Sequence, residues 1–217
     1  MSLINKIESE AKRYFIGANG CHDWTHVDRV RNLALNVGRQ EKANLFVIEI
    51  AALLHDIGRK KEMREKGIFC HAEYGAITAR KILNKYEIDL KLIDEIAHCI
   101  STHRYRKGCQ PETLEAKVLF DADKLDSIGA VGIARDFLFA GYAGSKVIYT
   151  GNEKKLAKSG KDYSYTEEDS ALLEYEVKLK YIKNKIYTKA GKRIAKARHT
   201  YMADYFKRLE REIKGVI

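Results

Sequence analysis

The sequence predicts an all-α protein: a compact helical bundle with a C-terminal helical extension. Three observations predict it. Apolar residues recur at helical spacing through most of the 217 positions. Proline occurs once, at Pro111, in a chain rich in Ala, Leu, Ile, Lys, Arg and Glu, which favour helices. No long stretch alternates apolar and polar residues as a half-buried strand would. The length suits one sizeable core, so a single domain over 1–217 is expected.

The elements follow in order. Leu3, Ile4, Ile7, Ala11, Tyr14 and Phe15 share one face of a helix over 2–15, which ends at the Gly17–Gly20 stretch. A second helix starts near Trp24, with Val27, Val30, Leu33, Ala34 and Val37 on one side. A third starts near Asn44 and runs through Phe46, Val47, Ile50, Leu53, Leu54 and Ile57 to Gly58, a plausible stop. Residues 59–69 read as charged and turn-like. Helices follow over 71–86, 89–103 and 112–128, the last continuing through Phe139 with a kink at Gly129 or Gly132. Residues 141–165 have no clear period and read as a long loop with the character of a lid. Two helices close the chain, over 167–187 and 190–214.

Composition narrows the class. No window of 18 apolar residues exists, so no membrane span is expected, and the charged N-terminus lacks a signal-peptide core. A cytoplasmic protein is expected. Cys21, Cys70, Cys99 and Cys109 form no C-x-x-C pair. Three of them adjoin a histidine, which allows a zinc cluster but fits small buried residues better. The net charge of +10 lies wholly in residues 178–217, with 13 Lys/Arg against 3 Asp/Glu. That tail could touch nucleic acid or steer anions, but an ordinary solvated helix face accounts for it as well.

The chemistry-bearing residues come in three groups. His55-Asp56 ends an apolar helix in AALLHDIG. His26 lies near a helix start in HDWTHVDRV. Asp121, Asp123 and Asp126 fall within FDADKLDSIG, flanked by Phe120, Leu125 and Ile128. Imidazole and carboxylate together suit divalent ions such as Mn, Co, Ni, Fe or Zn. Carboxylates set among core positions are costly to bury unpaired. A cation resolves that cost, and so does a helix cap or a salt bridge.

In this order the residues resemble the HD-domain superfamily of metal-dependent phosphohydrolases. DWTHVDRV, AALLHDIG, HAEYGA and DADKLDSIGAVGIAR together resemble its small stand-alone bacterial branch, similar to nucleotide pyrophosphohydrolases. The resemblance covers residues 22–135, and more loosely KAGKRIAKAR and YMADYFKRLEREI in the tail. It implies a metal-binding core over about 22–135, with the loop at 141–165 and the C-terminal helices at 167–214 built onto it. It implies a divalent metal (Mn, Co, Ni, Fe, Zn or Mg) held by His26, His55, Asp56 and Asp123. Asp121 and Asp126 would then orient ligand histidines. His71 and His103 would serve catalysis or a second ion, beside Asp56 as proton acceptor; His98 is evenly balanced between such a role and none. Some relatives carry a Glu three residues after the HD aspartate; here Arg59 stands there. Arg59, Lys124, Arg104 and Arg106, with Lys107, are candidate phosphate clamps.

The resemblance implies hydrolysis of a (d)NTP to the monophosphate and pyrophosphate. Phosphomonoester or cyclic-nucleotide phosphodiester hydrolysis is the alternative within the superfamily. A regulatory or nucleic-acid-binding module using the basic tail is the non-enzymatic one, disfavoured because no base-stacking platform is evident. The expected partner is a nucleotide or another phosphate ester; no membrane partner is expected, and a homodimer is compatible.

Overall fold

A computed structural model of the chain describes residues 1–18, 21–65, 68–104, 109–163 and 166–217. The described residues form helices and no strand, as the periodicity predicts. They group into two compact units, one of Met1–Asp123 with Tyr187–Gly191, the other of Lys124–Ile186 with Lys192–Ile217.

The first unit holds α1 (Leu3–Lys12), a 3-10 turn (Arg13–Phe15), α2 (Trp24–Glu41), α3 (Leu45–Leu54), α4 (Arg59–Arg64), α5 (His71–Leu83) and α6 (Leu90–Thr102). It also holds most of α7 (Leu114–Asp126). Its centre is α3. Val47, Ile48, Ile50, Ala51, Ala52, Leu53 and Leu54 are all fully buried, so this helix is apolar nearly all round, with Glu49 its one charged residue. It packs against α1, α2 and α6, while α5 packs against α4, α6 and α1. Asn44 starts α3 by accepting from the Phe46 and Val47 amides. Asp23 starts α2 by accepting from the His26 amide at 3.2 Å.

The second unit holds α8 (Gly129–Ala143), α9 (Glu153–Lys158), α10 (Ala171–Val177), a 3-10 segment (Leu179–Lys185) and most of α11 (Lys189–Ile213). Tyr175 and Phe206 stack at 4.4 Å in its core, beside Phe137.

Four expectations about elements need correction. Residues 59–64, read as turn-like, form α4; RKKEMR contains no β-branched residue or helix breaker, so it closes the turns once anchored. The 141–165 loop contains α9, nucleated by Glu153, whose buried carboxylate accepts from the Thr150 amide, from Thr150 Oγ1 at 3.1 Å and from Ser170 Oγ at 3.4 Å. The helix expected to run on past Asp126 breaks instead: Gly129 adopts φ +82°, and the Arg198 side chain occupies the space a Cβ would need. The helix expected over 167–187 is split into α10 and the 3-10 segment at Lys178, which leaves helical geometry at φ −138°.

Candidate metal centre

Helix ends build the centre. His55 and His103 cap α3 and α6, and each folds its ring back on its own last turn. His55 Nδ1 meets the Ala52 carbonyl at 2.7 Å, and His103 Nδ1 meets the Ile100 carbonyl at 2.6 Å. These carbonyls lie in a last turn that leaves such groups without helical partners. A carbonyl only accepts, so both rings carry their proton on Nδ1 and present an Nε2 lone pair. His71 opens α5 and presents Nε2 likewise, because its Nδ1 lies 2.7 Å from the Glu62 carboxylate. His26 comes from the first turn of α2 and Asp123 from α7.

Asp56 follows His55 and stands between these groups. Its Oδ1 lies 3.3 Å from His71 Nε2 and 3.5 Å from His103 Nε2. Its Oδ2 faces His22 Nδ1 at 3.5 Å, His26 Nε2 at 3.7 Å and His55 Nε2 at 3.9 Å. Both oxygens are buried and neither has a hydrogen-bond partner. His26 and His55 bring their Nε2 atoms to 3.3 Å, and Asp123 Oδ1 lies 3.5 Å from His26. Five imidazoles, His22, His26, His55, His103 and His71, follow one another at centroid spacings of 5.1–5.7 Å, T-shaped except for the tilted last pair.

The donor set therefore fits a cation. The Nε2 lone pairs of His55, His71 and His103 converge on Asp56 with no proton to share between them. Three groups of ligand atoms lie close enough for an ion: His22, His26 and Asp56; His26, His55 and Asp123; and Asp56, His71 and His103. Asp56 and His26 are each shared, so Asp56 can serve two positions with different oxygens. His26, His55, Asp56, His71 and His103 are essentially dry, whereas Asp123 and His22 keep 17% and 27% of their side chains exposed and mark the open edge.

Electrostatics keep the ligands in binding form. Burial lowers the pKa of His55 and of His71 to about 4, so both are neutral at physiological pH. Burial opposes ionisation of Asp56, but the Arg59 guanidinium and the surrounding rings hold its carboxyl well below the ordinary range. Burial opposes charge on His22 too, yet the facing Asp56 carboxylate leaves its pKa raised.

The remaining residues singled out from the sequence are placed as follows. Asp121 accepts from the Tyr187 and Thr188 amides at 2.8 Å and from Thr188 Oγ1 at 2.6 Å, at the start of α11. Asp126 pairs with Arg135 at 2.6 Å in the second unit, to which half-buried Lys124 also belongs. Arg59 lies 3.6 Å from Asp56 and hydrogen-bonds Glu62 at 3.2 Å. Arg104 also bonds Glu62. Arg106 lies outside the described residues. His98 accepts from the Glu112 amide at 3.2 Å. The cysteines form no disulfide and enter none of the three groups; burial pushes the Cys99 thiol up to about 12.

Two residues of the centre escaped the sequence reading. His22 precedes the cap of α2, and only its place four residues before His26 hinted at a shared site. Glu62 was hidden in a charged stretch; once α4 is helical, its spacing of three from Arg59 puts both on one face.

Comparison with known proteins gives the family. The HD domain family model matches residues 23–128. The uncharacterized protein YpgQ of Bacillus subtilis is 32% identical over 199 residues, covering 90% of this chain and 86% of YpgQ. The crystal structure of YpgQ in complex with ADP superposes with a TM-score of 0.75 at 29% identity, covering 99% of this chain and all of that one. An HD-superfamily hydrolase from Bacillus thuringiensis superposes with a TM-score of 0.72 at 27% identity, covering 97% and 96% of the two chains. With an HD dipeptide at the middle of its histidine cluster and a YpgQ-like chain around it, the protein belongs to the HD-domain family.

Proposed function

We propose that the chain is a metal-dependent phosphohydrolase acting on nucleotides, converting a (d)NTP to the monophosphate and pyrophosphate. One observation carries the metal dependence: the two buried oxygens of Asp56, neither of them hydrogen-bonded, sit among the Nε2 lone pairs of His55, His71 and His103. The nucleotide part is supported by the ADP complex of YpgQ.

His26, His55, Asp56 and Asp123 would hold one ion; Asp56, His71 and His103 would hold a second. A divalent ion bound there supplies an acidified water, with a pKa lowered from 15.7 to about 7, and offsets the negative charge of a phosphate. Neutral imidazole and carboxylate suit Mn, Fe, Co, Ni or Zn. The chain's own residues do the rest. Asp56 would orient the attacking water by accepting its hydrogen bond. Arg59 and Arg104, both part-exposed, offer planar donor pairs to phosphate oxygens. Burial of His55 and His71 excludes bulk water and keeps their Nε2 lone pairs unprotonated.

The test is a panel of (d)NTPs incubated with Mn, Co or Ni and followed by product identification. Pyrophosphate with a monophosphate is expected. Orthophosphate as the first product would replace this reading with a phosphatase. The second ligand group, Asp56 with His71 and His103, favours one further reading, a two-ion phosphodiesterase. Turnover of cyclic nucleotides with two ions per chain would establish it instead.

A further inference from the structure

Glu62 lies outside the ligand groups yet is buried to 8% exposure on α4. A carboxylate so placed is costly unless it is paired and hydrogen-bonded. Glu62 is paired on both oxygens. One faces His71 Nδ1 at 2.7 Å and Arg59 Nη1 at 3.2 Å; the other takes Arg104 Nη1. Arg104 Nη1 also approaches His71 Nδ1 at 3.2 Å. That nitrogen cannot both donate to a carboxylate and accept from a guanidinium. The shorter, charge-assisted contact decides, and His71 donates to Glu62.

The consequence reaches Asp56. With the proton held on Nδ1, the Nε2 lone pair of His71 has one direction left, towards Asp56 Oδ1 at 3.3 Å and His103 Nε2 at 3.2 Å. His55 and His103 have their rings fixed by carbonyls of their own helices. His71 stands at the first position of its helix, where no preceding turn offers such a carbonyl. Glu62 supplies the missing acceptor, and its negative charge makes the ring a stronger donor of its lone pair.

We propose that Glu62 is a positioning residue that completes the ion position formed by Asp56, His71 and His103, and that it ties this position to Arg59 and Arg104. The inference rests on the metal-centre part of the reading above and is independent of the substrate.

The test reads metal directly. Mn²⁺ is titrated calorimetrically into metal-stripped wild-type protein and into Glu62→Ala and Glu62→Gln. Wild type binds two ions. Glu62→Ala weakens one of them by about 10–100-fold and leaves the other unchanged, the range usual for loss of a ligand-orienting partner. Glu62→Gln, which keeps an acceptor but loses the charge, falls between the two. If Glu62→Ala does not fold, judged by far-UV circular dichroism, Glu62→Gln carries the test, with weakening of about tenfold expected. Wild-type affinity for both ions in the folded variants overturns the proposal, and so does a single ion in the wild type. Two ions in wild type without nucleotide turnover would overturn the substrate reading and leave Glu62 in its role.

Discussion

His71 and His103 bring their Nε2 atoms to 3.2 Å of each other, although neither ring has a proton there to share. Each spends its N–H in the opposite direction, on Glu62 and on the Ile100 carbonyl. Two lone pairs and the Asp56 carboxylate thus face one small volume, which is repulsive without a cation. Beside the other oxygen of Asp56, the His55 lone pair meets His26 Nε2 at 3.3 Å. Asp56 therefore has more to lose than any single imidazole.

Substitution within the two groups should separate them. Asp56→Asn is expected to abolish tight binding of both ions and activity with them. His103→Ala should weaken one ion by at least about tenfold and leave the His26, His55 and Asp123 group loaded. Metal content by elemental analysis after gel filtration checks this. Equal loss of both ions in His103→Ala would show one shared site instead.

Metal-stripped protein should lose stability as pH falls. His55 and His71 have folded-state pKa values of about 4 against an ordinary 6.5, so the unfolded chain binds their protons first. Their contribution is fully present above pH 6.5 and is lost as pH drops from 6.5 towards 4. Glu62, lowered from 4.5 to about 2 by His71 and Arg104 against the opposing effect of burial, extends the loss below pH 4.5. His22, whose pKa is raised, works in the other direction. The urea midpoint should be lower at pH 5 than at pH 7.5; a midpoint that holds or rises would contradict this balance.

Gly58 should tolerate no side chain. A Cβ there would lie 2.3 Å from the His71 carbonyl oxygen, and backbone cannot step aside as a flexible side chain can. The start of α5 approaches the turn after Asp56 only because this position is bare. Gly58→Ala is expected to cost about 1–3 kcal/mol and to displace His71. Thermal melts and Mn²⁺ titration report the two effects separately. A variant with wild-type values in both would disprove the close approach.

Neighbouring acids of α7 should respond in opposite ways. Asp121 caps the start of α11 with both oxygens, so Asp121→Ala should destabilise the fold by about 2 kcal/mol. Metal affinity in the folded fraction should stay near wild type. Asp123→Ala should leave the melting temperature of metal-stripped protein within a few degrees and remove the stabilisation that added Mn²⁺ gives. Asp121→Ala without a stability cost would refute the cap.

Much of this was readable in the chain itself. The apolar run of 45–54, the helical spacing elsewhere, the near absence of proline and the His55-Asp56 pair at a helix end determined an all-helical protein with a metal-capable motif. Amino-acid type and spacing carry that information because helix faces and ligand chemistry are local. Convergence is not local. His22, 34 positions before Asp56, and His103, 47 after it, meet one carboxylate only because α3 packs against α2 and α6. Glu62 stood in a stretch with no apolar period, so its helix and its hold on His71 became visible only with α5 in place. Asp121 and Asp123 are two residues apart and alike in sequence. Helical rotation sends one to the start of α11 and the other to His26, and tertiary packing alone made the first a cap and the second a candidate ligand.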